Sequence, residues 1–233
     1  ANEYLNIGGA DFSKSTGNAI WVTDFLSRYE ADPLRYYLSS IMPETSDSDF
    51  TWEGFHAANN NELVATFGNF VNRVLTITAR NFDKAVPTPG ELDDSDKAAL
   101  SACDTALEEV SKAIDGRRFR DGLRAAMRLA RHGNQYVDSK EPWKVVKVDK
   151  ETAGTALWVS LNVISTLRTV FYPYLPTSAD KIHSMLFQSS DTLADGWNRR
   201  EIVPGAPIEK PVRLFTKLDD SIIEEENARL AGE

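Results

Sequence analysis

The sequence is poor in sulfur and in histidine. Cys103 is the single cysteine in 233 residues, which excludes a disulfide framework and any cysteine-rich zinc site. His56, His132 and His183 have no mutual spacing suited to metal binding or general-base work, so they read as structural or solvent-facing and no metal site is expected. Long apolar runs are also missing. The best candidate, Gly154–Leu175, is interrupted by Ser160, Asn162, Ser165, Thr166 and Arg168, so it reads as a buried helix rather than a membrane span. No signal or transit segment is recognisable, and a reducing cytoplasm is the expected compartment.

What is present can build a core. Hydrophobic residues make up 42% and aromatics 10%, which excludes wholesale disorder. At about 150 residues per domain the length suggests one or two domains. The formal charge of −9 argues, as an average, against a nucleic-acid partner. The average hides a reversal: Lys112–Lys150 carries 11 basic and 5 acidic side chains within an otherwise acidic chain.

Periodicity and punctuation predict mostly helix. Residues 3–7 read as a strand whose pairing partners are expected elsewhere, because one strand cannot make a sheet. A loop over Gly8–Asn18 leads to helices at Val22–Tyr29 and Pro33–Met42, the second with Asp32 as its N-cap. Leu63, Phe67, Phe70, Val74 and Ile77 recur at helical steps within a Thr51–Phe82 helix. Acidic Asp93–Asp96 opens a helix to about Asp115, and Gly116 separates it from Arg117–Asp138. A Pro142-initiated turn, a helix over Glu151–Phe171, another over 178–187, an extended tail over 202–218 and an acidic terminal helix complete the prediction. The fold class expected is mostly α: an antiparallel helical bundle over 51–233 with an extended tail, preceded by a small α/β segment over 1–50.

The loop Gly8–Ser15 matches the Walker pattern except that Ser13 replaces its second glycine, the residue that lets backbone wrap phosphate. Residues Asp11, Phe12, Ser13, Lys14 and Ser15 also resemble the Lys-Met-Ser-Lys-Ser signature of class I aminoacyl-tRNA synthetases, with Asp11 where that family usually has Lys. A plain Ser/Gly/Lys surface loop is the bland alternative. A loop carrying one ammonium and two hydroxyls can close over a triphosphate and stabilise charge on departing pyrophosphate.

The surroundings extend the likeness. Ala1–Asn6 before the loop, Ala31–Leu38 after it, and Asp49-Phe50-Thr51-Trp52 resemble methionyl-tRNA synthetases, as do Asn69-Phe70-Val71-Asn72-Arg73 and Pro142-Trp143. The resemblance runs in order along essentially the whole chain. Missing are the His-x-Gly-His signature, the Rossmann front half and the zinc knuckle, which that family keeps N-terminal to these motifs. The resemblance therefore implies the C-terminal half of a methionine–tRNA ligase, using ATP with Mg²⁺ in the full enzyme and inactive alone. Methionine and ATP would be bound through the missing half, and tRNA(Met) is the implied partner, with no membrane involved. A non-enzymatic tRNA-binding module or inactive relative is the alternative.

Within this resemblance Lys14 takes the catalytic role at the ATP-binding loop. Asn69 and Arg73 are four apart, hence on one helix face, and an amide with a guanidinium can read the edge of an unstacked base. Trp143 offers either a stacking surface or a core ring. The resemblance assigns Asn69, Arg73 and Trp143 to the first base, cytosine, of a CAU anticodon. Arg117, Arg120, Arg124, Arg128 and Arg131 recur at steps of 3, 4, 4 and 3. They suit either phosphates of an RNA stem or a solvated, ion-paired face.

Overall fold

The computed structural model describes residues 3–13, 17–188, 192 and 196–231. At the front, β1 (Leu5–Ile7) is followed by α1 (Val22–Arg28), α2 (Ala31–Ser40) and β2 (Ser48–Phe50). The two strands pair in parallel, Leu5 to Ser48, Asn6 to Asp49 and Ile7 to Phe50. This corrects the expectation that the first strand finds its partners elsewhere: the crossover through α1 and α2 returns the chain beside it. So short a ribbon is marginal alone. It is held by a cluster comprising Ile7, Phe25, Tyr37, Phe50, Trp52, Phe55 and Ile222. The rings of Phe25 and Trp52 stack at 5.7 Å, and Phe50 meets Trp52 edge-on at 5.3 Å.

Asp32 is not the cap of its own helix. α2 already begins at Ala31, with Glu30 in the capping position. The Asp32 carboxylate is 3% exposed and accepts from Ser178 N at 2.6 Å and Ser178 Oγ at 2.7 Å. It thus caps the first turn of α9 (Pro176–Phe187), where Pro176 leaves the following amides in need of acceptors.

The Thr51–Phe82 helix divides into three. Thr51 caps α3 (Trp52–Ala57) through Gly54 N at 3.0 Å. An 11-residue π-helical stretch, Ala58–Gly68, then widens the turn before α4 (Asn69–Asn81) resumes normal pitch. The wide turn buries Asn59 and Asn60. Asn59 Nδ2 donates to Thr216 O at 3.0 Å, while Asn60 donates to Leu218 O and accepts from Leu218 N, both at 2.9 Å.

Behind this helix stand α5 (Asp94–Asp115), α6 (Phe119–Lys140), the short α7 (Pro142–Val145) and α8 (Lys150–Phe171). Asp93 starts α5 with a reciprocal capping box to Asp96. Tyr136 and Lys140, at the end of α6, bond Asp96 and Asp93 at the start of α5, so these helices run antiparallel. Tyr174 just beyond α8 donates to Phe119 O at 3.0 Å, so α8 is antiparallel to α6 as well. From Ala153 to Phe171 only Trp158 escapes full burial, as expected for the bundle's central helix.

The tail over 202–218 forms no helix or ladder strand. Its amides and carbonyls pair with the turn after α4, Val86 N to Ala206 O at 2.9 Å and Ile208 N to Lys84 O at 2.8 Å. α10 (Ser221–Ala231) then returns to the front segment. There the buried Glu226 accepts from Arg28 Nε at 2.8 Å and Tyr29 Oη at 2.7 Å. Burial and the Glu226 hydrogen bond push the Tyr29 phenol up to about 12.

Candidate nucleic-acid interface

Asn69 and Arg73 occupy the first two turns of α4, immediately after the π-helical stretch. Their apolar neighbours Phe70 and Val74 are fully buried, which fixes the helix and turns Asn69 outward. The Arg73 guanidinium is held from α6: Nη1 donates to Asp138 Oδ1 at 2.7 Å and Nη2 to Asn134 Oδ1 at 3.4 Å. Asn134 is itself oriented, because its Nδ2 donates to Thr66 O at 2.9 Å inside the π-helical stretch. The wide turn therefore sets the direction of Arg73 through one intermediary amide.

Trp143 completes the group. Glu141 adopts φ +42°, ends α6, and hands the chain to Pro142 at the first position of α7. The indole is half-buried against the core, and the Arg73 guanidinium carbon lies 5.1 Å from its ring centroid. This is cation–π distance. The two sequence alternatives for Trp143, core ring and accessible surface, are both partly realised. Asn134 escaped sequence reasoning, and Asp138 was legible only as an ion-pair partner for the arginine row, not for Arg73. Their i,i+4 polar pair beside the buried Val137 was the available signal, but nothing local marks Arg73 as their partner.

The arginine row is less uniform than its spacing suggests. α6 begins at Phe119, and Arg117 lies in the preceding turn at φ +55°, so it is not on the helix as expected. Gly116 and the left-handed Arg117 close the tight reversal between α5 and α6. Arg120, Arg124, Arg128 and Arg131 do share one helix side. Arg124 pairs with Asp121 at 3.3 Å and Arg128 with Glu109, whereas Arg131 is exposed. Glu44 accepts from Arg120 N at 2.9 Å and joins Arg117, Arg120 and Arg124 around a cleft of about 500 Å³.

At the front loop, Gly8 and Gly9 turn the chain at φ +59° and +77°, and Gly9 N donates to both Asp49 oxygens at 3.0 Å. The Asn18 amide bonds the carbonyls of Ile7, Ala10 and Asp11, drawing the two ends of the loop together. Ser13 N meets Asn18 O at 3.0 Å, and Asp11 and Phe12 are exposed. Lys14 and Ser15 lie outside the described residues. The bridge from Ser13 to Asn18 and the start of α1 only at Val22 do not match a P-loop, whose glycine loop runs directly into a helix.

Residues 1–75 match the family of class I tRNA synthetases (M), and residues 86–233 match the anticodon binding domain of methionyl tRNA ligase. The chain belongs to the methionyl-tRNA synthetase family. It is 47% identical to the methionine–tRNA ligase of Dehalococcoides mccartyi over 99% of its own length and 42% of that protein. It is 45% identical to the corresponding ligase of Pyrococcus abyssi, over 96% of this chain and 31% of that one. Among solved structures, Mycobacterium tuberculosis methionyl-tRNA synthetase in complex with methionyl-adenylate superposes with a TM-score of 0.85 at 27% identity. That match covers 91% of this chain and 42% of the other. The chain thus spans less than half the length of these methionyl-tRNA synthetases.

Proposed function

We propose that this chain is the anticodon-reading part of a cytoplasmic methionine–tRNA ligase, the enzyme that attaches methionine to tRNA(Met) at the expense of ATP. The observation that carries the reading is the joint placement of Asn69 and Arg73 on α4 with Trp143 on α7. Asn69 and Arg73 supply an amide and a guanidinium to the Watson–Crick edge of the first base of CAU, and Trp143 supplies the stacking ring. Asp138 and Asn134 hold the guanidinium in one direction from α6. Arg120, Arg124, Arg128 and Arg131, with Arg117 beside them, face the RNA phosphates from α6.

In the same reading, residues 1–50 carry the loop of the catalytic region and residues 51–233 form the anticodon-binding bundle. Asp11, Phe12, Ser13, Lys14 and Ser15 form the ATP loop, and the Lys14 ammonium stabilises negative charge on departing pyrophosphate. Methionine and the rest of ATP are bound by a nucleotide-binding part of the ligase outside this chain. In this reading Mg²⁺ enters with the nucleotide.

Binding of tRNA(Met) and of a tRNA with a changed first anticodon base, to the native protein and to Trp143→Ala, tests the reading. Loss of one stacked base costs about 1–3 kcal/mol. The substitution is expected to weaken tRNA(Met) binding by that amount and to spare the changed tRNA. Equal losses on both would remove the stacking role.

A further inference from the structure

The stem of the front loop is closed by one side chain. Asn18 Nδ2 donates toward three main-chain carbonyls, Ile7 O at 3.2 Å, Ala10 O at 3.3 Å and Asp11 O at 2.9 Å. All three neighbours are acceptors, so the amide must present its nitrogen here and not its oxygen. The Asn18 main-chain carbonyl accepts from Ser13 N at 3.0 Å. Ile7 O also accepts from Ala10 N at 3.2 Å, and Ala10 O from Ile7 N at 2.9 Å. Each of these carbonyls has a second lone pair left for Asn18.

The turn that Asn18 grips is anchored in the sheet. Gly9 N donates to both Asp49 carboxylate oxygens at 3.0 Å, and Gly8 N to Phe50 O at 3.1 Å, which ties the turn to β2. Through Asn18 this fixed turn is linked to Asp11 and Ser13, the first and third residues of the ATP loop. Phe12 between them is 49% exposed, so hydrogen bonds rather than packing set the course of this stretch. Without the amide, the Asp11 carbonyl loses its contact with the far end of the loop.

We propose that Asn18 is a positioning residue for adenylate formation. It touches no substrate. It holds Asp11 and Ser13 at the height and direction at which the loop meets the ATP phosphates. This rests on the reading of Asp11–Ser15 as the ATP loop given above. It adds a residue outside that motif, one that acts through main-chain carbonyls. Pyrophosphate departs in the first step only, so the cost of losing Asn18 falls on adenylate formation and not on transfer of methionine to tRNA.

The test uses the full-length ligase carrying Asn18→Asp, which keeps size and shape but sets a charged acceptor against three carbonyls in place of a donor. Methionine-dependent ATP–pyrophosphate exchange is compared with transfer to tRNA(Met) from methionyl-adenylate supplied ready-made. A support displaced by about 1 Å costs on the order of 100-fold in rate, so the exchange kcat is expected to fall about 10- to 100-fold with the methionine KM unchanged. Transfer and tRNA(Met) affinity should stay at native values, and the melting temperature should fall by no more than about 2–4 °C. Asn18→Ala, which adds no charge, should show the same split. A native exchange rate in both variants, or exchange and transfer slowed by the same factor, overturns the proposal. Lys14→Ala is the reference for the loop itself. If it abolishes exchange while both Asn18 variants are native, the proposal fails alone. If it leaves exchange intact, the ATP-loop reading falls as well.

Discussion

At the scale of single residues, the proposed interface depends on side chains that never need to touch RNA. Asp138 is 59% exposed, yet it fixes the direction of a guanidinium that is only 25% exposed. An exposed pair of this kind contributes about 0.2–1 kcal/mol. Asp138→Ala is therefore expected to weaken tRNA(Met) binding by about two- to fivefold, less than Arg73→Ala, and to lower the melting temperature by no more than about 2–4 °C. A loss as large as that of Arg73→Ala would make Asp138 a direct RNA contact. Asp93 is a residue of purely structural weight. Hydrogen bonds from Lys140, from Ser95 and from the Asp96 amide hold its carboxyl far below the usual range. A carboxyl depressed in the native state adds stability above its unfolded value of about 3.9, and that stability is lost as pH falls toward the native value. Asp93→Asn keeps a capping acceptor but removes the charge. Its unfolding midpoint should fall less steeply than the native protein's below about pH 4, as denaturant titrations across that range would show. Spacing alone put Asn69 and Arg73 on one face, because a four-residue step is a local property. The partners of Arg73 and the trans-capping role of Asp32 depend on contacts 65 and 146 residues away, which no local pattern encodes.

At the scale of elements, the helices whose limits were legible are those with chemical punctuation: the Asp93 capping box before α5, Pro142 opening α7, and Asp149 capping α8. The π-helical stretch was not legible. Leu63, Phe67 and Phe70 fit a normal helix equally well, and the wide turn exists because Asn59 and Asn60 find main-chain partners on the tail. α6 and α4 approach closely at Gly133. A Cβ on Gly133 would lie 2.6 Å from Phe70 Cζ, inside a ring that is fully buried. Overpacking of this kind costs about 1–3 kcal/mol. Gly133→Ala should lower the denaturant midpoint accordingly and, by pushing α4, weaken tRNA binding as well. An unchanged midpoint would mean that Phe70 has room to move.

At the scale of the whole molecule, net charge is a poor guide to local surface, because the −9 total conceals an arginine row on α6 and two exposed cations on the tail, Arg213 and Lys217. Acidic surface elsewhere favours one orientation of an approaching polyanion. The tail also helps to join the bundle to the front segment, alongside the Asp32–Ser178 and Glu44–Arg120 contacts. Asn60→Ala leaves both the Leu218 amide and its carbonyl without their partner. About 1–3 kcal/mol should be lost, with new protease cleavage between Thr216 and Ser221 as the visible sign. Intact protein under the same digestion would show that the remaining contacts suffice. Ile222 packs in one cluster with Ile7 and Phe25, residues some two hundred positions earlier. On the ribosome, β1, α1 and α2 must therefore wait, with their aromatic faces open, until α10 has emerged. The front segment is sealed only by a helix made some two hundred residues later, an interval in which a chaperone's cover would protect its apolar face.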